Sequence, residues 1–498
     1  MCGISAVCGP AQGNAIEQML DAISHRGGDE QGVYTAQDIS LGIQRLSVMG
    51  LADGSQPLLD PCSRVSLVCN GEIYNHKSLR TEMGLPDAPD RSDIDVLLHL
   101  YIKTGSKMFS SLDGMFAIII YDEKKTKFVA ARDRFGIKPL YYIESGETWY
   151  FASEMKALGV IGEDESLIQE VPPGCFMTKN GIEAYCIDTK LPASMPQPAL
   201  LRGLLEASIE KQLQADPGIR FGVFLSGGLG SSILAALAAR HRPGLVAFTV
   251  GTEESPDAMA ARQVASHLGI RLVSCIVDQT NVESQLERAV EVTETYNPTI
   301  VFEGLLTMRL AEAAALEGVK VILSGEGGHV LFAEQEGLHE DFYGYEGATS
   351  KDTRRDLLIR LNNTGCRKLD RATSAYSVEA RVPFLDYLVV DWAVRLPSED
   401  PGRHSIDQHT KRNLLRAAFR DLLPPSVVAR CRLTMGRGSG LRFILQHFAE
   451  TTPSTTSERH WSGPQSTEIM DKATQILHTH WTKAFGKSGG RRMHDMFF

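Results

Sequence analysis

Three observations predict a two-domain α/β protein. Residues 1 to about 190 are dense in short apolar strands separated by turns and charged segments, which argues for layered sheets with helices packed on them. From about 200 the pattern changes to alternating strand and helix, which argues for a parallel, doubly wound sheet. The 498 residues also exceed what one hydrophobic core usually holds.

The elements follow in chain order. Strands are predicted in SRVSLVCNGEIYN (63–75), GMFAIIIYD (114–122), TKFVAARDR (126–134) and PLYYIES (139–145), with helices near 14–24 and 93–104. A proline-bearing stretch around 188–201 reads as a linker, placed at 191–200 between domains 1–190 and 201–450. An amphipathic helix follows at 199–213. Strand 222–225, helix 231–240, strand 245–250, helix 256–268 and strand 271–277 come next, then helices to about 317 and strand 319–325. From about 370 the chain reads as mostly helical, and 451–498 as a polar, poorly patterned extension.

Composition narrows the function classes. Hydrophobic residues make up 43% and charged residues 22%, an ordinary globular balance. A net charge of -10 argues against a nucleic-acid or anionic-membrane partner. The nine cysteines form no CxxC pair, so neither a zinc knuckle nor a disulfide framework is predicted, and a reducing cytoplasm fits. The start MCGISAVCGP has no signal-peptide pattern, and no apolar run approaches the roughly 18 residues of a membrane span.

Cys2 is the first candidate catalytic residue. Loss of Met1 would leave a terminal cysteine, which holds a thiol nucleophile and an amine base in one residue. MCGI, HRGGDEQG (25–32), QRLSVMG (44–50), CNGEIYNH (69–76), RSDIDVLLHLY (91–101), LDGMFAIIIYD (112–122), ARDRFGIKPLYY (131–142) and FASEMKAL (151–158) occur in order. Together they closely resemble the glutaminase domain of class II glutamine amidotransferases, specifically asparagine synthetase. The resemblance implies an Ntn-hydrolase α/β/β/α sandwich. It makes Cys2 the attacking thiol, Asn70 and the Gly71 N–H the oxyanion hole, Arg45 the holder of the glutamine α-carboxylate, and Glu72 and Asp93 the partners of its α-ammonium. Glutamine hydrolysis of this kind needs no cofactor. Gly28 departs from the family's proline, a change in loop stiffness more than chemistry.

The second half continues the resemblance. SGGLGSS (226–232) follows a strand and opens a helix, so its backbone N–H groups suit phosphates. It resembles the pyrophosphate loop of asparagine synthetases and related ATP pyrophosphatases. SPDAMAARQVASHLG (255–269), ETYNPT (294–299), VKVILSGEGG (319–328), DRATSAYSVEARVPFLD (370–386) and KRNLLRAAFRDLLP (411–424) follow in the family's order. The resemblance implies nucleotide binding by Ser226, Gly227, Gly228, Ser231, Ser232, Ser324 and Gly325. It implies acid/base work by Glu326 and charge stabilisation by Lys411, with ATP, magnesium and a carboxylic acid acceptor as reactants. A homodimer and an internal ammonia passage are further implications.

Two positions break the pattern. The family's magnesium-binding aspartates are Gly230 and His329 here. Glycine offers no side-chain ligand, and imidazole suits softer metals than magnesium. Three readings follow: an amidotransferase with unusual metal and ATP handling, in specialised metabolism; an asparagine synthetase that recruits magnesium through acids such as Asp257 or Glu334; or a glutaminase beside a non-catalytic scaffold.

Overall fold

The strand Gly114–Asp122 shows how the first half is layered. Phe116, Ile118 and Ile120 enter one apolar cluster with Leu97, Leu100 and Phe109, whereas Ala117, Ile119 and Tyr121 enter another. A strand that feeds two cores is covered on both faces, so GMFAIIIYD is apolar almost throughout. In this computed structural model its antiparallel sheet runs Gly181–Ala184, Cys175–Thr178, Lys127–Arg132, Gly114–Asp122, Val65–Ile73, Leu58–Asp60. The second sheet runs Gln169–Glu170, Tyr141–Ser145, Thr148–Ala152, Gly3–Cys8, Ile39–Arg45, Glu30–Ala36. Helices Ala15–Ala22 and Met155–Gly159 cover the second sheet, and Val96–Thr104 covers the first. The result is the α/β/β/α sandwich. The described residues are 1–10, 13–86, 91–185, 195–332, 354–396, 410–441, 444 and 468–485.

The second half carries a five-stranded parallel sheet in the order Arg271–Ile276, Val246–Gly251, Phe221–Phe224, Val321–Leu323, Glu379–Arg381. The chain leaves Phe221–Phe224 toward one edge and later returns to its other side with Val321–Leu323. The order therefore reverses there, and the crevice beyond those two strand ends is where such sheets hold ligands.

Within the mostly helical region after 370, Glu379–Arg381 forms the edge strand. Three residues are too few to show a period in sequence. The polar C-terminal extension includes one described element. Glu468–Phe485 is a helix that buries Ala473, Leu477 and Trp481, and Trp481 meets Tyr296 edge-on at 5.8 Å. These three residues are spaced by four and form a thin stripe diluted by polar neighbours. Residues 191–194 of the expected linker lie outside the described residues, and helix Pro198–Gln212 begins within its last three positions.

The halves meet across buried charge. Arg26 reaches Glu154 at 2.6 Å and Asp370 at 2.8 Å, and Arg371 reaches Glu294 at 2.8 Å and the Ser153 carbonyl at 2.9 Å. Each of these ionic side chains is at most 3% exposed. Burial alone would raise the Glu154 pKa, but Lys156, His25, Arg371 and Arg26 hold it well below the usual range. Glu154→Ala strands buried guanidinium charge and is expected to destabilise the fold by about 3–5 kcal/mol. Glu123→Ala, which removes the pair with the 60% exposed Arg64, is expected to cost under about 1 kcal/mol. Denaturant unfolding of both variants checks the contrast.

Candidate active site

Cys2 immediately precedes the central strand Gly3–Cys8, whose neighbours on both sides hold it in register. Its Sγ accepts the Leu46 N–H at 3.4 Å, and its carbonyl accepts Arg26 Nε–H at 3.0 Å. Burial pushes the thiol pKa up. Burial also pushes the Met1 amine down to about 5, so at neutral pH that amine is an uncharged base beside the thiol.

The strand Val65–Ile73 brings the other glutaminase candidates to the same place. Cys69 lies within electrostatic range of Asp93, Cys2 and Glu72, and Asn70 is the next residue. Gln56 clamps this point: its side chain accepts the Cys69 N–H at 2.7 Å and donates to the Cys69 carbonyl at 3.0 Å. Asn70 is fully buried, and among the described residues neither polar atom of its side-chain amide has a hydrogen-bond partner. An orphaned buried amide is costly, and such groups mark sites that await a ligand. Gly71 sits at φ +155°, where a Cβ would lie 2.0 Å from the Met115 carbonyl oxygen. Only glycine lets the backbone pass there.

The ionic candidates are already partly engaged. Arg45 gives Nη1 to Glu30 at 2.8 Å and Nη2 to the carbonyls of Met49 and Gly50 at 3.1 and 2.8 Å. Two of its five N–H groups remain for a carboxylate. Asp93 accepts the Ile73 N–H at 2.5 Å, and burial pushes its pKa up to about 6. Glu72 lies 3.1 Å from Arg381 of the other half, and burial holds its pKa well above the usual range despite that cation. Sequence reading missed Arg381, Glu379 and Gln56. Arg381 and Glu379 stand two residues apart on a short edge strand, and only tertiary contact turns them toward Glu72.

A cavity of about 660 Å³ opens at the strand ends of the second half. Ser226, Gly228, Gly230, Ser231, Ser324, Gly325, Glu326 and His329 line it. Gly227 and Ser232 do not. Gly227 makes the turn at φ +68° against Ala260, and Ser232 is on the buried face of helix Leu229–His241. Lys411 belongs to helix Thr410–Phe419, but its side chain lies outside the described residues.

Glu326 sits against Gly365, where helix Gly365–Ser374 begins; a Cβ on Gly365 would lie 2.3 Å from its Oε1. The helix end favours an anion. Burial would raise the Glu326 pKa, but Lys368, at 4.0 Å, leads the interactions that lower it. His329 Nδ1 is 3.6 Å from Glu326, and burial pushes the imidazole down to about 4. His329 is therefore neutral at neutral pH, and Lys368 supplies the charge beside Glu326.

The loop suits the phosphates of ATP, through the Gly228 backbone turn and the N-terminus of helix Leu229–His241. Magnesium fits poorly. Gly230 and His329 bring no carboxylate, and among the described residues no group of three His, Cys, Asp or Glu side chains is placed to hold a metal ion. Asp257, a candidate substitute ligand, is tied to Arg430 at 2.7 Å. Glu334 lies outside the described residues. Among those residues no helix is long and apolar enough to cross a membrane.

Comparison with known proteins agrees with this layout. The glutamine amidotransferase domain family matches residues 1–178, and the asparagine synthase family matches 200–345 and 345–473. The chain is 32% identical to asparagine synthetase [glutamine-hydrolyzing] 2 of Arabidopsis thaliana, over 99% of this chain and 89% of that protein. It is 33% identical to asparagine synthetase B [glutamine-hydrolyzing] of Escherichia coli (strain K12), over 84% of this chain and 78% of that one.

The two glycines that flank these sites differ in what they tolerate. Gly71→Ala is expected to destabilise the protein by at least about 2 kcal/mol, through clash and backbone strain. Among the described residues, a Cβ on Gly230 would meet only the Phe384 ring, at 3.5 and 3.6 Å. Gly230→Ala is therefore expected to be neutral or stabilising by up to about 1 kcal/mol. Thermal unfolding of the two variants checks both.

Proposed function

The chain belongs to the glutamine-hydrolysing asparagine synthetase family, and from that premise we propose how this member works. Cys2 hydrolyses glutamine, and the released nitrogen passes to a carboxylic acid at the C-terminal cavity, with metal and ATP handling unlike the family's usual pattern. The orphaned, buried Asn70 amide near Cys2 is the observation that carries the glutaminase half of this reading.

The chemistry follows from the residues. With Met1 removed, the Cys2 amine takes the thiol proton and the thiolate attacks the glutamine side-chain carbonyl. Asn70 Nδ2–H and the Gly71 N–H meet the charge that develops on that oxygen, a contribution of about 2.7–4 kcal/mol per donor. The C–N bond breaks as the nitrogen takes a proton and leaves as ammonia, and water then frees glutamate from the thioester. Arg45 holds the α-carboxylate, and Asp93 with Glu72 holds the α-ammonium. In the second half, Glu326 is the acid/base group. The absence of magnesium carboxylates at positions 230 and 329 supports an altered activation step, and a specialised rather than housekeeping acceptor.

Glutamine labelled at its amide nitrogen, supplied with ATP and a panel of carboxylic acids, tests the reading. Label in an amide product, lost in Cys2→Ala, is the expected result. Glutamate release without transfer to any acid would leave a glutaminase with a scaffold. Efficient asparagine formation with magnesium-dependent AMP release would make the chain an ordinary asparagine synthetase.

The pH profile follows from Asp93. It must be ionised to hold an ammonium, and its carboxyl is charged above about pH 6 and neutral below. The kcat/KM for glutamine, which reports the free enzyme, is expected to fall as the pH drops through about 6. The bound ammonium favours the charged carboxylate, so the kcat limb should lie at lower pH. Steady-state glutaminase assays across the acid range check this order, and Asp93→Asn should abolish the limb.

A further inference from the structure

The strand Val65–Ile73 loses its outer neighbour just before the reactive residues. Leu58–Asp60 pairs with it in a register that sets Asp60 opposite Val65, Leu59 opposite Ser66 and Leu58 opposite Leu67. Two residues further along, the same register would set Gln56 opposite Cys69, but the ladder ends at Leu58. The Gln56 side chain fills the place. Its Oε1 accepts the Cys69 N–H at 2.7 Å, and its Nε2–H donates to the Cys69 carbonyl at 3.0 Å. A primary amide carries the donor and acceptor of a peptide group, so these two bonds repeat what a paired strand residue would exchange. Gln56 is 7% exposed, which shelters both bonds from water. Its own carbonyl packs over Gly32 of the other sheet, where a Cβ would lie 1.8 Å from that oxygen.

The phase of the ladder decides where the Gly71 N–H goes. In antiparallel strands, alternate residues turn their backbone polar groups to opposite neighbours. Phe116, opposite Gly71, donates its N–H to Asp133 Oδ2 at 3.2 Å, and its carbonyl accepts the Asp133 N–H at 2.8 Å, both on the far side. The backbone groups of Gly71 therefore turn to the outer edge, as those of Cys69 do. Ile73, two residues on, keeps the same phase, since its N–H donates to Asp93 Oδ2 at 2.5 Å. Side chains thus cap this edge on either side of Gly71, Gln56 at Cys69 and Asp93 at Ile73. A strand continued along the edge would take the Gly71 N–H into a ladder bond. An edge with no cap would hold it loosely.

We infer that Gln56 is a positioning residue for the glutaminase step. By standing in for one residue of a strand that has ended, it fixes the Cys69–Asn70 peptide so that the Gly71 N–H and the Asn70 amide meet the same oxygen. The inference rests on the reading of Cys2 as the nucleophile and of Asn70 and Gly71 as the oxyanion donors. Gln56 touches no reacting atom and acts only through those donors. Charge on the glutamine oxygen grows as the thiolate adds, so the transition state feels their placement more than the bound substrate does. The ends of glutamine are held elsewhere, by Arg45, Glu72 and Asp93. Loss of Gln56 therefore lowers kcat and spares KM.

Gln56→Met keeps the length of the side chain and removes both bonds. Steady-state glutamine hydrolysis by the full chain is expected to show kcat lowered by about thirtyfold, with KM within about twofold of wild type. Alkylation by iodoacetamide, read at Cys2 by peptide mass spectrometry, tests the nucleophile separately. That displacement builds no oxyanion, so its rate is expected to stay within about twofold of wild type. Where Gln56→Met does not fold, Gln56→Glu carries the test at pH 8, because a carboxylate keeps the acceptor and has no proton to give the Cys69 carbonyl. Its kcat is expected to fall by at least about fivefold with KM unchanged. A kcat that the folded variant leaves unchanged, a KM that rises as much as kcat falls, or an alkylation rate that drops in step with kcat overturns the inference. A wild-type chain without Cys2-dependent glutamate release sinks the functional reading and this inference with it, whereas wild-type activity that the variant retains in full sinks this inference alone.

Discussion

Arg26 is fully buried, and its guanidinium bonds Glu154 of its own half and Asp370 of the other while its Nε–H holds the Cys2 carbonyl. Arg371 repeats the arrangement with Glu294 and the Ser153 carbonyl. Taking such charges out of water costs several kcal/mol per ion unless each finds its partner. The halves therefore have one low-energy way to dock, the one that pairs them all. Because Arg26 also holds the backbone of Cys2, the proposed nucleophile, the placement of Cys2 depends on that docking.

A second buried cluster continues the same logic toward the substrate pocket. Glu72, the proposed partner of the glutamine ammonium, faces Arg381, and Arg381 also bonds Glu379 at 2.8 Å. Lys138 is fully buried in range of both Glu72 and Glu379. Burial works against the Glu379 charge, and Arg381 and Lys138 more than offset it. Arg381 in turn belongs to the edge strand that pairs with Val321–Leu323, the strand leading to Glu326. One short strand thus carries charge that faces Glu72 and pairs with the strand that leads to the C-terminal cavity.

The sites differ in how they are built. The glutaminase side is assembled from rigid antiparallel strands, with glycine used where backbones must pass closely, as at Gly71. The C-terminal cavity lies at a reversal of strand order, where helix N-termini and side chains from several separate segments converge. Such a cavity can change its charge by a few substitutions without disturbing the sheet, whereas the Cys2 site cannot.

Much was legible in the sequence because it is local. Strand GMFAIIIYD, each strand and helix of the alternation after residue 200, the loop SGGLGSS and each ordered motif around Cys2 are short, local segments, so period and motif suffice to read them. The replacement of two family aspartates by Gly230 and His329 is equally a fact of sequence. What only the tertiary structure decided is long-range. The edge strand Glu379–Arg381, the stripe of Ala473, Leu477 and Trp481, and the withdrawal of Gly227 and Ser232 from the cavity wall have no local signature. The ion pairs that join Arg26 to Asp370 and Glu72 to Arg381 span some three hundred residues. A charge on one segment carries no mark of its partner, because the partner is selected by what folding buries beside it.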